Sequence, residues 1–504
     1  MSEAFPGMPP PPPVAATRLA SVVVPYRRGP GGVEVFWVKR EKALAFAGGF
    51  YAFPGGKVDK ADAVVPMRGA SGQEAALRVA AARELFEEAG VLVAEGAARL
   101  APDVVREMRQ ALLEKRSTWS ELLQRHGLLL RAEDFPEAGR WVTPEFAPVR
   151  FDTFFYLVEA PAHALAEWWP GELAEAVWVK PSEALARWEQ GTALLHPPAL
   201  HVLRVMAEFD SPERALARLR EQPHCPDFIA QRIEFHLGVR VFPLRTATLP
   251  PATHTNAYVL GNGELLIVDP GADEESEVDR LLAMVEGLVA DGCRVKAVLL
   301  THHHGDHVGG ARRVKEKLGV PLWCHARTAD RLDVPADRLL EDGEVLELAG
   351  TPPQRWRVLH TPGHARGHLC LVDERTRAAV VGDMVAAVGT IVIDPPEGDM
   401  GEYLKQLARL RDWPVTVLHP AHGSAIPDGP GKLQEYLDHR AAREARIVEA
   451  VPAEGATLSD VVERAYSETP PFLHPVAERS ALAVLLKLER EGRLREASGR
   501  YFRT

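Results

Sequence analysis

Thr301-His302-His303-His304-Gly305-Asp306-His307 is the stretch on which the reading of this chain turns. Imidazole and carboxylate groups at this density make a metal-ligand set that needs no cysteine. The mixture suits zinc, whereas an all-oxygen shell suits magnesium or calcium. Three further candidates stand downstream, each in a turn just after an apolar run. His364 closes Thr361-Pro362-Gly363-His364 after Val358-Leu359, Asp383 follows Ala378 to Val381, and His422 sits in Ala421-His422-Gly423 after Val415 to Leu418. Any one such residue in a loop is usually structural, so the pattern carries the reading. Buried strands that end by presenting a ligand predict a sheet edge holding a metal site. Seven such groups suffice for two ions, and the expectation is a dinuclear metal hydrolase.

A chain of 504 residues exceeds a single core and suggests about three domains. A hydrophobic content of 46% and a charged content of 26% describe an ordinary globular chain. A net charge of -11 argues against broad coating of nucleic acid or acidic membranes, though it leaves a local basic groove open. Cys225, Cys293, Cys324 and Cys370 show neither CxxC spacing nor a disulfide framework, so a reducing compartment with buried small apolar thiols is expected. No apolar run reaches about 18 residues, and no basic region precedes an apolar one at the N-terminus. The expected address is cytoplasmic with no membrane partner, and a homo-oligomer stays open.

Residues 1–16, with Pro9 to Pro13, read as a disordered or polyproline lead. Regular patterning begins at Thr17. Leu19 to Val24 and Val33 to Val38 predict two strands around a glycine-rich turn, Ser71 to Ala89 a helix closed by Gly90, and Phe151 to Val158 and Ala176 to Val179 further strands. This first region, 17–210, is followed by a connector at 211–238 that contains the helical piece Pro212 to Arg220. A second region, 239–426, alternates strands and helices. The last, 427–504, is mostly helical: Thr457-Leu458-Ser459-Asp460 fits a capping box, Val476 to Glu491 an amphipathic helix, and Arg493 to Phe502 a hairpin. Helices followed by a terminal hairpin predict a winged helix.

Arg83-Glu84-Leu85-Phe86-Glu87-Glu88-Ala89-Gly90-Val91 places Glu84, Glu87 and Glu88 on one helix face, close enough to hold hard cations. By itself an acidic face is more often simply solvated. Upstream, Phe53-Pro54-Gly55-Gly56-Lys57-Val58 supplies a glycine turn where backbone can approach a substrate. Together these motifs resemble the Nudix family, and the resemblance covers about residues 17–205. It implies an α/β/α sandwich, Mg²⁺ or Mn²⁺ held by the catalytic Glu84, Glu87 and Glu88, and hydrolysis of a small-molecule diphosphate substrate. The box departs from the family at one point. Gly56 to Arg83 runs about a dozen residues too long, and the middle glutamate has no aligned equivalent: Ala75 takes its position by spacing, with Glu74 the nearest substitute. The extended box, with Arg40 upstream, Phe50-Tyr51-Ala52-Phe53 before the glycines and Arg150 to Phe155 after, is similar to the coenzyme A diphosphatase branch. That likeness marks Arg40, Gly55 and Gly56 as substrate-binding candidates.

The pattern around His302 resembles the metallo-β-lactamase superfamily, an αβ/βα sandwich. Carried over, His302, His304 and His364 hold one zinc ion, Asp306, His307 and His422 a second, and Asp383 bridges both. His303 is left outside the ligand set. A hydroxide between the metals is the expected nucleophile, with Asp306 counted as catalytic. Asp269, in Asp269-Pro270-Gly271, either orients a ligand or simply ends a strand.

The fold class expected overall is therefore multidomain α/β and α+β: a Nudix sandwich, a metallo-β-lactamase sandwich and a winged-helix tail. Residues 239–495 resemble the lactamase-β-like endoribonucleases, through Thr253 to Tyr258, Leu437-Asp438-His439-Arg440 and the helical tail. The preferred substrate of the zinc centre is accordingly single-stranded RNA, with His439, Arg440 and Arg443 contacting phosphate, or else forming a surface ion-pair cluster with Asp438 and Glu444. The alternative is a thioester or other ester, as in glyoxalase II. A reading of another class makes one domain, or the tail, a non-catalytic binding module. No basic stripe marks the tail.

Overall fold

The computed structural model describes residues 14–504 apart from 43, 45, 46, 148, 165, 170, 210 and 222–232. The proline-rich lead therefore lies almost wholly outside the described residues, and Cys225 lies outside them too. Two compact units divide the chain, at Pro13–Leu237 and Gly238–Thr504.

In the first unit a long strand, Thr17–Gly29, forms a hairpin with Gly32–Arg40 and runs parallel to Arg150–Glu159, in register Val23↔Tyr156. Glu137–Val142 and Leu173–Val179 extend the sheet on either side. Alternation splits each strand between two cores. Val23, Phe36 and Tyr156 face the helix Gly72–Ala89, whose Val79, Ala82, Leu85 and Phe86 pack on them. Val24, Trp37 and Leu157 face the opposite layer, formed by Pro181–Glu189, Pro197–Glu208 and Pro212–Glu221. The piece expected as part of a connector thus contributes Ala215 and Leu219 to an outer helical layer of this unit. Its apolar face, not its flanking prolines, decides where it sits.

The glutamate helix ends as its sequence requires. Gly90 takes φ 68°, a left-handed conformation costly for other residues, and its N–H donates to the Phe86 carbonyl at 2.9 Å.

The second unit contains two sheets. Val239–Arg245, His254–Leu260 and Glu264–Val268 pair antiparallel, and Arg294–Leu299, Leu322–Cys324 and Arg338–Leu339 then add in parallel. The other sheet is an antiparallel meander, Val345–Leu348, Gln354–His360, Leu369–Asp373 and Ala379–Gly382, closed by the parallel strand Leu418–Pro420. Helices Met400–Asp412 and Gly429–Ala450 cover this second sheet.

The tail consists of Leu458–Ala465, His474–Arg490 and the hairpin Leu494–Ala497 with Arg500–Arg503. The Thr457–Asp460 capping box is formed in both directions. Ser498 and Gly499, at φ 52° and 76°, make the tight turn of the wing. Val461, Leu485, Leu488 and Tyr501 of the tail share one core with Leu359, Val381, Met400 and Leu407, so the winged helix is packed into the unit that carries the metal motif. Among the described residues no helix is long and apolar enough to cross a membrane.

Candidate metal centres

Five turns that carry the candidate residues or their supports follow strand ends. Asp269 follows Glu264–Val268, residues 301–307 follow Arg294–Leu299, His364 follows Gln354–His360, Asp383 follows Ala379–Gly382, and His422 follows Leu418–Pro420. They bring two groups together within 4.8 Å: His302, His304, His364 and Asp383, and separately Asp306, His307 and His422. Asp383 lies between them. Its Oδ2 is 3.3 Å from His364 Nε2, and its Oδ1 is 3.3 Å from His422 Nε2 and 3.5 Å from His307 Nε2.

The far nitrogen of four rings is held, which fixes what each offers inward. The Thr301 hydroxyl donates to Asp269 Oδ2 at 2.6 Å and so accepts from His302 Nδ1 at 3.0 Å, leaving the Nε2 lone pair facing the cluster. His364 Nδ1 donates to the Val392 carbonyl at 2.9 Å, His422 Nδ1 to the His254 carbonyl at 3.1 Å, and His307 Nδ1 to Asp269 Oδ2 at 2.8 Å. Asp269 therefore orients the His307 ring, and does so from φ 49°. That conformation is uncommon for a residue with a side chain and recurs at functional sites. Gly271 lets the motif approach: a Cβ there would stand 1.7 Å from the Asp306 carbonyl oxygen.

Electrostatics agree with a cation site. Burial, then repulsion from neighbouring imidazoles, holds His302 and His304 well below the ordinary histidine range, so their lone pairs stay available. Burial opposes charge at His307 and at Asp383 as well. Attraction prevails there: the surrounding carboxylates hold His307 well above its usual value, and His422 and His307 hold Asp383 well below its own. His307 Nε2 and Asp383 Oδ1 are buried without a hydrogen-bond partner. Orphaned buried atoms that face one another are what a metal ion satisfies.

Three residues support the cluster in ways the sequence did not assign: His368, which was not singled out, and Thr255 and Asn256, which were quoted only for a family likeness. His368 Nε2 accepts the Asp383 N–H at 3.1 Å while its Nδ1 donates to Thr361 Oγ1 at 2.8 Å, fixing the backbone of the central carboxylate. Thr255 donates to Asp306 Oδ2 at 3.2 Å, and Asn256 donates to the Pro420 and Gly423 carbonyls on either side of His422. A pair of buried polar residues inside an apolar strand was the available signal. His303, as expected, lies outside both groups.

Arg440 is a correction. It is buried, its guanidinium donates to the Ile391 carbonyl and lies 5.3 Å from the Tyr403 ring centroid, so it cannot meet a phosphate in solvent. His439 is exposed on the same helix. Glu444 pairs with Lys487 and Arg493 of the tail rather than with its helix neighbours.

In the first unit, Gly55–Lys57 pairs with Ala20–Val22 and runs beside the glutamate helix. The Gly55 N–H donates to Glu88 Oε2 at 3.1 Å, and a Cβ on Gly56 would stand 2.4 Å from Glu84 Oε1. These glycines make room for carboxylates. Arg83 bonds Glu84 at 2.7 Å and Glu87 at 3.1 Å, and it pairs bidentately with buried Asp62 at 2.9 and 3.0 Å. The buried acid that partners Arg83 is thus Asp62, not Glu74 or the Ala75 position reached by spacing backwards from Arg83. Asp62 stands six residues after Gly56. Glu74 instead pairs with Arg78, its side chain largely exposed. Arg109 caps the helix by donating to the Glu87 and Glu88 carbonyls at 3.0 and 2.9 Å. Burial, augmented by Glu84, pushes Glu87 up to about 7 and Glu88 up to about 8, with Arg83 and Arg40 respectively opposing. Among the described residues the glutamates form no third group within 4.8 Å; they line one face without converging.

Residues 250–422 match the model of the metallo-beta-lactamase superfamily, residues 67–206 that of the NUDT19 Nudix domain, and residues 457–501 that of the beta-lactamase associated winged helix domain. The chain is 33% identical over 253 residues to a Beta-lactamase-like protein 2 homolog of Drosophila melanogaster, covering 48% of this chain and 84% of that one. It is 31% identical over 246 residues to an atrochrysone carboxyl ACP thioesterase of Aspergillus chevalieri, covering 46% and 75%. A NUDIX hydrolase of Alicyclobacillus acidocaldarius aligns with a TM-score of 0.36 at 29% identity, covering 42% of this chain and 99% of that one. The chain belongs to the metallo-β-lactamase superfamily, as a hydrolase with a NUDT19-type Nudix domain before that fold and an associated winged helix after it.

Proposed function

We propose that the second unit is a dizinc hydrolase of acyl thioesters and the first a Mg²⁺- or Mn²⁺-dependent hydrolase of a diphosphate such as coenzyme A. The observation that carries the first half is the convergence of the two ligand groups on opposite oxygens of Asp383. In this reading His302, His304 and His364 would hold one ion and Asp306, His307 and His422 the other, with Asp383 available to both. Bound zinc supplies a lowered water pKa and a polarised carbonyl. The chain's own residues do the positioning: Asp269 and Thr301 keep His307 and His302 in the ligating tautomer, and Thr255 steers Asp306. Glu84, Glu87 and Glu88 would hold the hard cation of the first centre.

The thioester assignment draws on the likeness to a protein named as an ACP thioesterase, and on the resemblance of the first domain to the coenzyme A diphosphatase branch, which makes a coenzyme A thioester a natural candidate. Single-stranded RNA is the second reading, favoured by the winged-helix match. It is weakened by the burial of Arg440 and the engagement of Arg443 with Ala465 and Glu468. The test is turnover by zinc-loaded protein of an acyl-coenzyme A, an acyl-pantetheine and a single-stranded RNA. Thioester cleavage that Asp306→Asn reduces by at least about 10²-fold is expected, the scale on which catalytic groups act. RNA cleavage without thioester turnover would replace this reading with the second.

A further inference from the structure

The segment between Asp383 and Asp399 contributes its backbone to the metal centre. Val392 offers the carbonyl that accepts from His364 Nδ1, and the Ala387 N–H donates to the His422 carbonyl at 3.0 Å. Asp399 N–H donates at 2.7 Å to the carbonyl of Gly363, the residue before His364. The segment has no regular secondary structure of its own across residues 385–398 that would hold these groups. Its restraints come largely from the C-terminal helices. Tyr436 Oη accepts the Ala386 N–H at 2.8 Å and donates to the Gly389 carbonyl at 2.9 Å. Arg440 donates to the Ile391 carbonyl, and Ser480 Oγ accepts the Ile393 N–H at 3.2 Å. The peptide that holds His364 is therefore fixed on one side from helix Gly429–Ala450 and on the other from helix His474–Arg490.

We infer that Arg440 and Ser480 are positioning residues of the metal centre: the tail braces the Val392 carbonyl so that His364 presents Nε2 to the ion it shares with His302 and His304. This rests on the ligand reading proposed above. A residue that orients a metal-ligating histidine typically alters metal affinity by about 10–100-fold when removed. Arg440 is also the residue for which the sequence suggested a phosphate contact; burial and a carbonyl partner give it this other task.

The test is Zn²⁺ binding to the full-length protein in competition with a chromophoric chelator, repeated with Co²⁺ for its absorption spectrum, on wild type, Ser480→Ala, Arg440→Lys and Arg440→Met. Arg446→Ala is the control: it lies on the same helix as Arg440 but pairs with Glu468 across exposed surface away from the 385–398 segment, where such pairs contribute little. Wild type that takes up no metal pair would sink the ligand reading itself. Given that pair, one of the two equivalents should weaken by about tenfold or more in Ser480→Ala and Arg440→Met. Arg440→Lys, which keeps a donor for Ile391, should lie between, and the control should bind as wild type. Unchanged affinity, or equal loss of both equivalents, would overturn the inference. If Ser480→Ala does not fold, the Lys and Met pair at Arg440 decides the same question.

Discussion

Glu88 shows at the scale of one residue how a site can be costly to the fold that carries it. It is buried beside Glu84, and the protonated form is favoured up to about 8. The sign of the consequence follows by linkage. Between the unfolded carboxylate range near 4.5 and the raised native value, the native state holds a proton that the unfolded chain has released. Stability conferred by that proton is present at low pH and lost as pH rises through about 8. The metal-free first unit should therefore lose about 1.4 kcal/mol per pH unit for each such proton as pH rises across the neutral range. Denaturant midpoints in chelator at a series of pH values would read this, and Glu88→Gln should flatten the slope. Stability that rose with pH in wild type would contradict the assignment. Asp62 makes the complementary case, a buried acid with its compensating cation in direct bidentate contact.

Among the elements, Gly55–Lys57 and Gly72–Ala89 are matched by size. The absent side chain of Gly56 is what lets Glu84 lie against the strand. Gly56→Ala should leave the sheet intact and push the Glu84 carboxylate aside, weakening Mg²⁺ or Mn²⁺ binding in the first unit; isothermal titration with either ion would measure it. Wild-type affinity would show that Glu84 is not a ligand. The sequence made the glutamate helix and the histidine motif legible because their signals are local: Arg83 to Val91 is nine consecutive residues, and residues 301–307 are seven. What supports them is not local. Asp269 reaches His307 across 38 positions, Ser480 reaches Ile393 across 87, and Arg83 reaches Asp62 across 21. Nothing local in the sequence marks Asp62 as the partner of Arg83 or Ser480 as the partner of Ile393. The direction of Arg440 was likewise hidden, because a helix reveals which residues share a face but not which face a distant loop will cover.

Across the whole molecule, two hydrolase domains occupy one chain, and each builds its candidate centre on its own core. The glutamate helix packs in the first unit against Val23, Phe36 and Tyr156, while the histidine cluster hangs from strand ends of the second. The winged helix shares a core with that second unit, a position suited to bracing its site. Two chemistries held on separate cores should fail separately. The most direct measurement is therefore a reciprocal pair, with Asp306→Asn and Glu88→Gln each assayed for thioester hydrolysis and for diphosphate hydrolysis under saturating metal. The account predicts that Asp306→Asn abolishes the first activity and leaves the second within about twofold, and that Glu88→Gln does the reverse. Loss of both activities from either substitution alone would contradict two independent centres.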